Sequence, residues 1–147
     1  MRRTKAASRE RGAMLMELAL LLPMLVLIVM LVLEGSRLVR THQVLNNAAR
    51  EGARLSVQEE NKGNTGDIAT EVAAYATQNG VPITAGNVTI NQAALIPTPS
   101  GASMSASVVT VNYSYTMNYL SVFAWLGVPS TYALTGTAEF RNFYKLD

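Results

Sequence analysis

Gly12 and Glu17 are the residues of this chain whose types and spacing promise chemistry. A leader holding Arg2, Arg3, Lys5, Arg9 and Arg11 against Glu10 ends in Gly12. From Ala13 to Leu33 the chain is apolar apart from Glu17, the only charge in that stretch. Hydrolysis of the Gly12–Ala13 peptide bond would make Ala13 a new N-terminus with a free α-amine. Glu17 then lies four residues on, about 6 Å along a helix axis. A cationic amine and a carboxylate would share one end of an apolar helix. Packed side by side, the amine of one copy can pair with the carboxylate of the next. An unpaired charge in a low-dielectric bundle is costly, so such pairing would fix the relative height of neighbouring helices. The alternative for Glu17 is a carboxylate that reaches the lipid headgroups from near the end of the span.

Other chemistry finds little support. The chain has no cysteine, which excludes disulfides, thiol catalysis and thiolate metal sites. Its one histidine, His42, has no second ligand or acid–base partner near it in sequence. Glu59 and Glu60 are adjacent rather than facing, which suits neither a metal nor an acid–base pair. There is no glycine-rich phosphate loop, nucleophile elbow or metal-ligand spacing, and the many Ser and Thr lack a base partner. The chain reads as a non-enzyme with no cofactor, no metal and no small-molecule substrate. The formal charge of +2 misleads. Residues 1–12 carry +4 of it, leaving −2 for the remainder. No Arg/Lys cluster with interleaved aromatics follows residue 40, so nucleic acid is not an expected partner.

The elements that must position Gly12 and Glu17 follow from hydropathy. A spanning helix needs about 20 mostly apolar residues, and Ala13–Leu33 supplies them. The basic N-terminal flank predicts a cytoplasmic leader and an outer C-terminal domain. The run is too long for the apolar core of an ordinary export signal, and no small-x-small cut site follows it. Pro23 removes one backbone hydrogen bond, to Ala19, and is expected to kink or loosen the helix. It is either a tolerated membrane proline or a soft point that lets the helix adjust. Beyond the membrane, Leu38, Leu45, Ala48, Ala49 and Ala53 fall near one helical face. One helix is therefore predicted from about Ala13 to about Val57, roughly 65 Å long. Residues 13–36 form its transmembrane part and 37–57 a stalk. Gly35 and Gly52 weaken it locally, and its small residues allow close approach by other elements.

The run from Arg11-Gly12-Ala13-Met14-Leu15-Met16-Glu17-Leu18 through Pro23 resembles the TadE/TadF-like pseudopilins of the tight-adherence (Tad/Flp) pilus system. The likeness continues through Glu34-Gly35-Ser36-Arg37-Leu38 and Asn46-Asn47-Ala48-Ala49-Arg50-Glu51-Gly52-Ala53-Arg54. Leu18 departs from it, since an aromatic commonly follows the glutamate; leucine keeps the position apolar. The resemblance is specific over residues 11–55 and architectural beyond. It implies a minor pilin, cut after Gly12 by a membrane aspartyl prepilin peptidase, with Arg11, Gly12 and Ala13 as the processing site. Glu17 and Pro23 would serve assembly and register. It implies other pilins or pseudopilins and the pilus assembly platform as partners, in a pilus used for adherence or secretion. The place implied is the bacterial inner membrane, single-pass, with the N-terminus cytoplasmic. The competing reading is an uncleaved single-pass protein whose outer domain binds a surface partner.

Residues 58–147 are expected to form the extracytoplasmic domain. Residues 58–66 are turn-forming. A helix follows, with Asp67 as N-cap, Ile68, Val72, Tyr75 and Ala76 on one face, and Gly80 and Pro82 ending it. Asn87–Ile90 is a short candidate strand. Val109, Val111, Tyr113, Tyr115 and Met117 alternate with polar residues, as do Tyr132, Leu134, Gly136, Ala138 and Phe140. Pro97–Ser103 reads as a flexible loop. Asn118–Pro129 is too apolar for a free loop. It is either a short helix closing the core or an interface patch built on Tyr119, Phe123 and Trp125. The predicted fold class is α+β: a long N-terminal helix, transmembrane plus stalk, and one or two helices packed on a three- or four-stranded antiparallel sheet.

Overall fold

The computed structural model describes residues 3–97, 101, 103–119, 121–127 and 129–142. Its elements run α1 (Arg3–Ser56), α2 (Thr65–Gln78), β1 (Val88–Pro97), β2 (Ser103–Thr116) and β3 (Thr131–Arg141). Three short 3-10 turns lie at Glu59–Asn61, Ala85–Asn87 and Ser121–Leu126. The class is α+β, with a three-stranded antiparallel sheet in the order β1-β2-β3.

Helix α1 is continuous over 54 residues, about 80 Å at 1.5 Å per residue. It starts ten residues before the sequence expectation, because Lys5, Ala6, Ala7, Arg9, Glu10 and Arg11 are all good helix formers. It passes through Pro23 without a break in helical assignment. Its end at Ser56 falls one residue from the expected boundary.

The chain divides into two compact units. The first comprises the N-terminal part of α1, through Ser36, and residues 117–130. The second comprises residues 37–116 and those from Thr131 onward. The second unit holds the hydrophobic core. Leu45, Ala48, Ala49 and Ala53 of α1 are fully buried, against Ile68, Val72, Ala73 and Ala76 of α2 and Val109, Val111 and Ala138 of the sheet. Two glycines let these layers close. A β-carbon on Gly52 would stand 2.5 Å from the Val72 side chain, and one on Gly136 would stand 2.5 Å from the Leu45 backbone. The stalk backbone at Leu45 thus lies directly against β3 because Gly136 carries no side chain there.

Several local expectations are corrected. Asn64, not Asp67, precedes α2 as its N-cap. Asp67 sits in the first turn, where its carboxylate accepts a 2.6 Å bond from the Asn64 side chain and complements the helix dipole. Gly80, at φ +85°, ends the helix as expected. Strands β1 and β2 are longer than their apolar alternation, since they form one ladder from Val88↔Val111 to Pro97↔Ser103. That pairing makes a hairpin of the segment read as a loop. Its tip at 98–100 and 102 lies outside the described residues. On β3 the expected inner face is buried only at Gly136 and Ala138. Tyr132 and Phe140, near its two ends, are 38% and 41% exposed.

Buried polar groups tie the stalk's end to the sheet. The Gln92 side chain donates to the carbonyls of Ser56 (3.1 Å) and Asn61 (3.0 Å) and accepts from the Gly63 N–H (2.9 Å). Gln92 sits at the register shift between Asn91 and Ala94. The hydroxyls of Ser56 and Ser107, both fully buried, are hydrogen-bonded to each other. Asn142 extends the set by donating from its side chain to the Gln92 carbonyl.

Candidate functional site

The expected processing and register residues lie along the exposed first half of α1. Gly12 is exposed, and nothing stands within 4 Å of where its β-carbon would be. Arg11 and Ala13 lie on the same helix, with side chains outside the description. Glu17 is exposed and makes no hydrogen bond or ion pair among the described residues. The large apolar side chains around it are bare: Leu20 is 81% and Met16 77% exposed. The helix has no polar face between Leu18 and Leu33, the pattern of a helix meant to be apolar on every side. Its most apolar 18-residue window has a mean hydropathy of 2.8, with none of it buried. It is long and apolar enough to cross a membrane.

What this end of the helix can do chemically is narrow. A glycine in a helix interior costs about 1 kcal/mol relative to alanine, so Gly12 weakens the helix locally. Glu17 offers an acceptor with no intramolecular partner among the described residues, which fits pairing to a group outside this single chain. Pro23, six residues on, leaves the Ala19 carbonyl without its helical donor.

The apolar run ends at a residue that pattern reasoning passed over. Glu34 is 2% exposed, and its carboxylate accepts the Tyr119 N–H at 2.8 Å. Met30, one turn earlier on the same face, is half-buried, whereas Leu31, Val32 and Leu33 are exposed. Residues 117–130 therefore have a fixed attachment within their own unit. Their ends are joined where the Met117 N–H donates to the Ser130 carbonyl at 2.9 Å. Ser121–Leu126 forms a 3-10 turn that Gly127, at φ +81°, brings to a close. A helix is present there, but it does not sequester its indole: Trp125 is 78% exposed. Tyr119 is 40% exposed, and the Phe123 side chain lies outside the description. The signal in the sequence was the coincidence of a charge at the first position after the apolar run and a charge-free apolar connection elsewhere.

On the stalk, Glu51 and Arg54 form a two-pronged pair at 3.0 and 2.5 Å. The Arg54 hydrogen bonds and charge hold the Glu51 carboxyl below its ordinary value, and Glu51 raises Arg54 in return. The His42 ring bonds to the Asn46 side chain one turn on, at 3.1 Å. No group of three or more His, Cys, Asp or Glu that could hold a metal occurs among the described residues.

A single apolar helix with its distinctive groups at one end, joined to a small α+β module, defines a helix-anchored class of chain. Residues 12–54 match the family model described as TadE-like protein. The matched range opens at Gly12 and closes at Arg54, taking in Glu17, Pro23, Glu34 and the Glu51–Arg54 pair. No curated protein and no solved structure matches the chain. The TadE-like match points to an association with Tad pilus components, and together with the apolar helix it supports membrane anchoring.

Proposed function

We propose that this chain is a minor pilin or pseudopilin that takes part in assembling a Tad-type pilus. It is anchored in the inner membrane with its N-terminus cytoplasmic and is cut by a prepilin peptidase between Gly12 and Ala13. The role is structural. The observation that carries the reading is Glu17: an exposed carboxylate on an all-round apolar helix, one turn past an unobstructed glycine. A carboxylate near the bilayer interior costs up to about 2.5–3.5 kcal/mol on insertion scales. The Ala13 amine of a neighbouring subunit offsets that cost, and the pairing sets the stagger between helices. Processing also removes the basic leader, so the mature chain carries −2 rather than +2.

The test is the N-terminal mass of the chain recovered from cells that express a prepilin peptidase. It should begin at Ala13. Gly12→Leu should leave the precursor uncut, and recovery of wild type beginning near Met1 would establish instead the uncleaved single-pass protein. Glu17→Ala should be anchored but fail to support piliation. Normal piliation by that variant would sink the register role of Glu17.

A further inference from the structure

The connection between β2 and β3 has a function that the pilus reading does not supply. We propose that residues 117–130 form a foot that rests in the headgroup region of the bilayer crossed by α1, with Trp125 as its anchor and Glu34 as the tie that sets its height. The proposal rests on residues 13–33 spanning a membrane; it needs neither processing after Gly12 nor filament assembly.

Height is the first argument. Ala13–Leu33 covers about 31 Å at 1.5 Å per residue, close to the roughly 30 Å of a bilayer's hydrocarbon core. Glu34 is then the first residue beyond the hydrocarbon on the side away from the leader. Its carboxylate is 2% exposed and holds the Tyr119 amide at 2.8 Å, so residue 119 is fixed at the same level. Trp125 follows six residues later, two steps of at most about 3.6 Å each and four through the 3-10 turn Ser121–Leu126 at about 2 Å each, which keeps it within about 15 Å of that boundary.

Composition is the second argument. Residues 117–130 read Met-Asn-Tyr-Leu-Ser-Val-Phe-Ala-Trp-Leu-Gly-Val-Pro-Ser and contain no charge. The indole of Trp125 is 78% exposed and the phenol of Tyr119 is 40% exposed. Trp and Tyr favour the headgroup level, where the ring is desolvated while the N–H or O–H still meets a polar partner. A large bare indole six residues from the Glu34–Tyr119 bond, on a segment without charge, matches that environment. Lipid is the occupant at this level whether or not another subunit is near.

Trp125 is the chain's single tryptophan, so its fluorescence reports this site without mutation. The full chain is reconstituted into phosphatidylcholine–phosphatidylglycerol vesicles, some with lipids brominated near the headgroup. Bromolipid should quench the emission strongly, and aqueous iodide should quench it weakly. Glu34→Ala should still float with the vesicles but exchange bromolipid quenching for iodide quenching. A wild-type chain that floats and is quenched by iodide alone overturns the foot and leaves the anchor standing. Protection from both quenchers means that protein covers Trp125, which also overturns it. Unchanged bromolipid quenching in Glu34→Ala overturns the tie. Failure of the wild type to float overturns anchor and foot together.

Discussion

Gly136 is the tightest point of the second unit. A β-carbon there would meet the Leu45 carbonyl carbon at 2.5 Å, its oxygen at 2.6 Å and the Asn46 nitrogen at 2.8 Å. Backbone atoms of a helix cannot rotate aside as a side chain would, so relief requires moving the stalk off the sheet. Gly136→Ala should therefore destabilise the fold by about 1–3 kcal/mol, the usual cost of overpacking. Thermal unfolding of the full chain in detergent, followed by circular dichroism, measures it. Glu51 makes a smaller and pH-dependent contribution. Its carboxyl is held below its ordinary value of 4.5 by hydrogen bonds from Arg54. The stabilisation is thus present above the unfolded value and is lost as pH falls through the lowered folded one. For an exposed i,i+3 pair it amounts to only a few tenths of a kcal/mol. Comparing wild type with Glu51→Gln between pH 6 and 3, a range chosen to bracket about 4.5, should show the difference vanish at the acid end.

Among the elements, Gln92 decides how the stalk ends. Its side chain donates to the carbonyls of Ser56 and Asn61 and accepts the Gly63 N–H, while the Asn61 carbonyl also accepts the Asn64 N–H at 3.1 Å. Gln92→Leu keeps the bulk and removes all three bonds, and a protein hydrogen bond contributes about 0.5–1.5 kcal/mol net. The variant should lose at least that much in urea titration, with faster amide exchange at Gly63. This element-scale polar network was hidden in the sequence, where Gln92 stands among Asn91, Ala93 and Ala94 with no apolar period to mark it. By contrast, α1 from Ala13 onward was legible, because no proline follows Pro23 before its end and the apolar pattern changes from all-round to one-faced near residue 38. Strands β1 and β2 were underestimated because their far halves, Gln92–Pro97 and Ser103–Val108, are specified by pairing with each other rather than by alternation. Asp67 was misplaced as a cap because Asn64, three residues earlier, is an equally good capping type and the turn geometry chose between them.

At the scale of the whole molecule, the sequence displays the candidate pair Gly12 and Glu17 and hides Glu34. Gly12 and Glu17 stood out through local contrast, a glycine and a carboxylate set against leucines. Glu34 did not, because its partner Tyr119 lies 85 residues away and only the fold brings them together. The β2–β3 connection was read as too apolar for solvent, and the structure keeps that tension: Trp125 remains bare at the end of a folded turn. The grouping of residues 117–130 with the N-terminal part of α1 in one compact unit was not legible, since a connection between adjacent strands ordinarily belongs with its sheet.

The apolar girdle of α1 also constrains how such a chain can travel. Between Leu18 and Leu33 every large apolar side chain except Met30 is exposed, with no polar stripe among them. Exposing a single Leu, Val, Ile or Met to water costs about 1.5–3 kcal/mol, so drawing the whole girdle through water costs tens of kcal/mol. No route out of the bilayer can pass through a solvated intermediate. A helix of this kind in lipid would leave at least cost by lateral exchange, each lipid contact replaced by another apolar surface as it is given up.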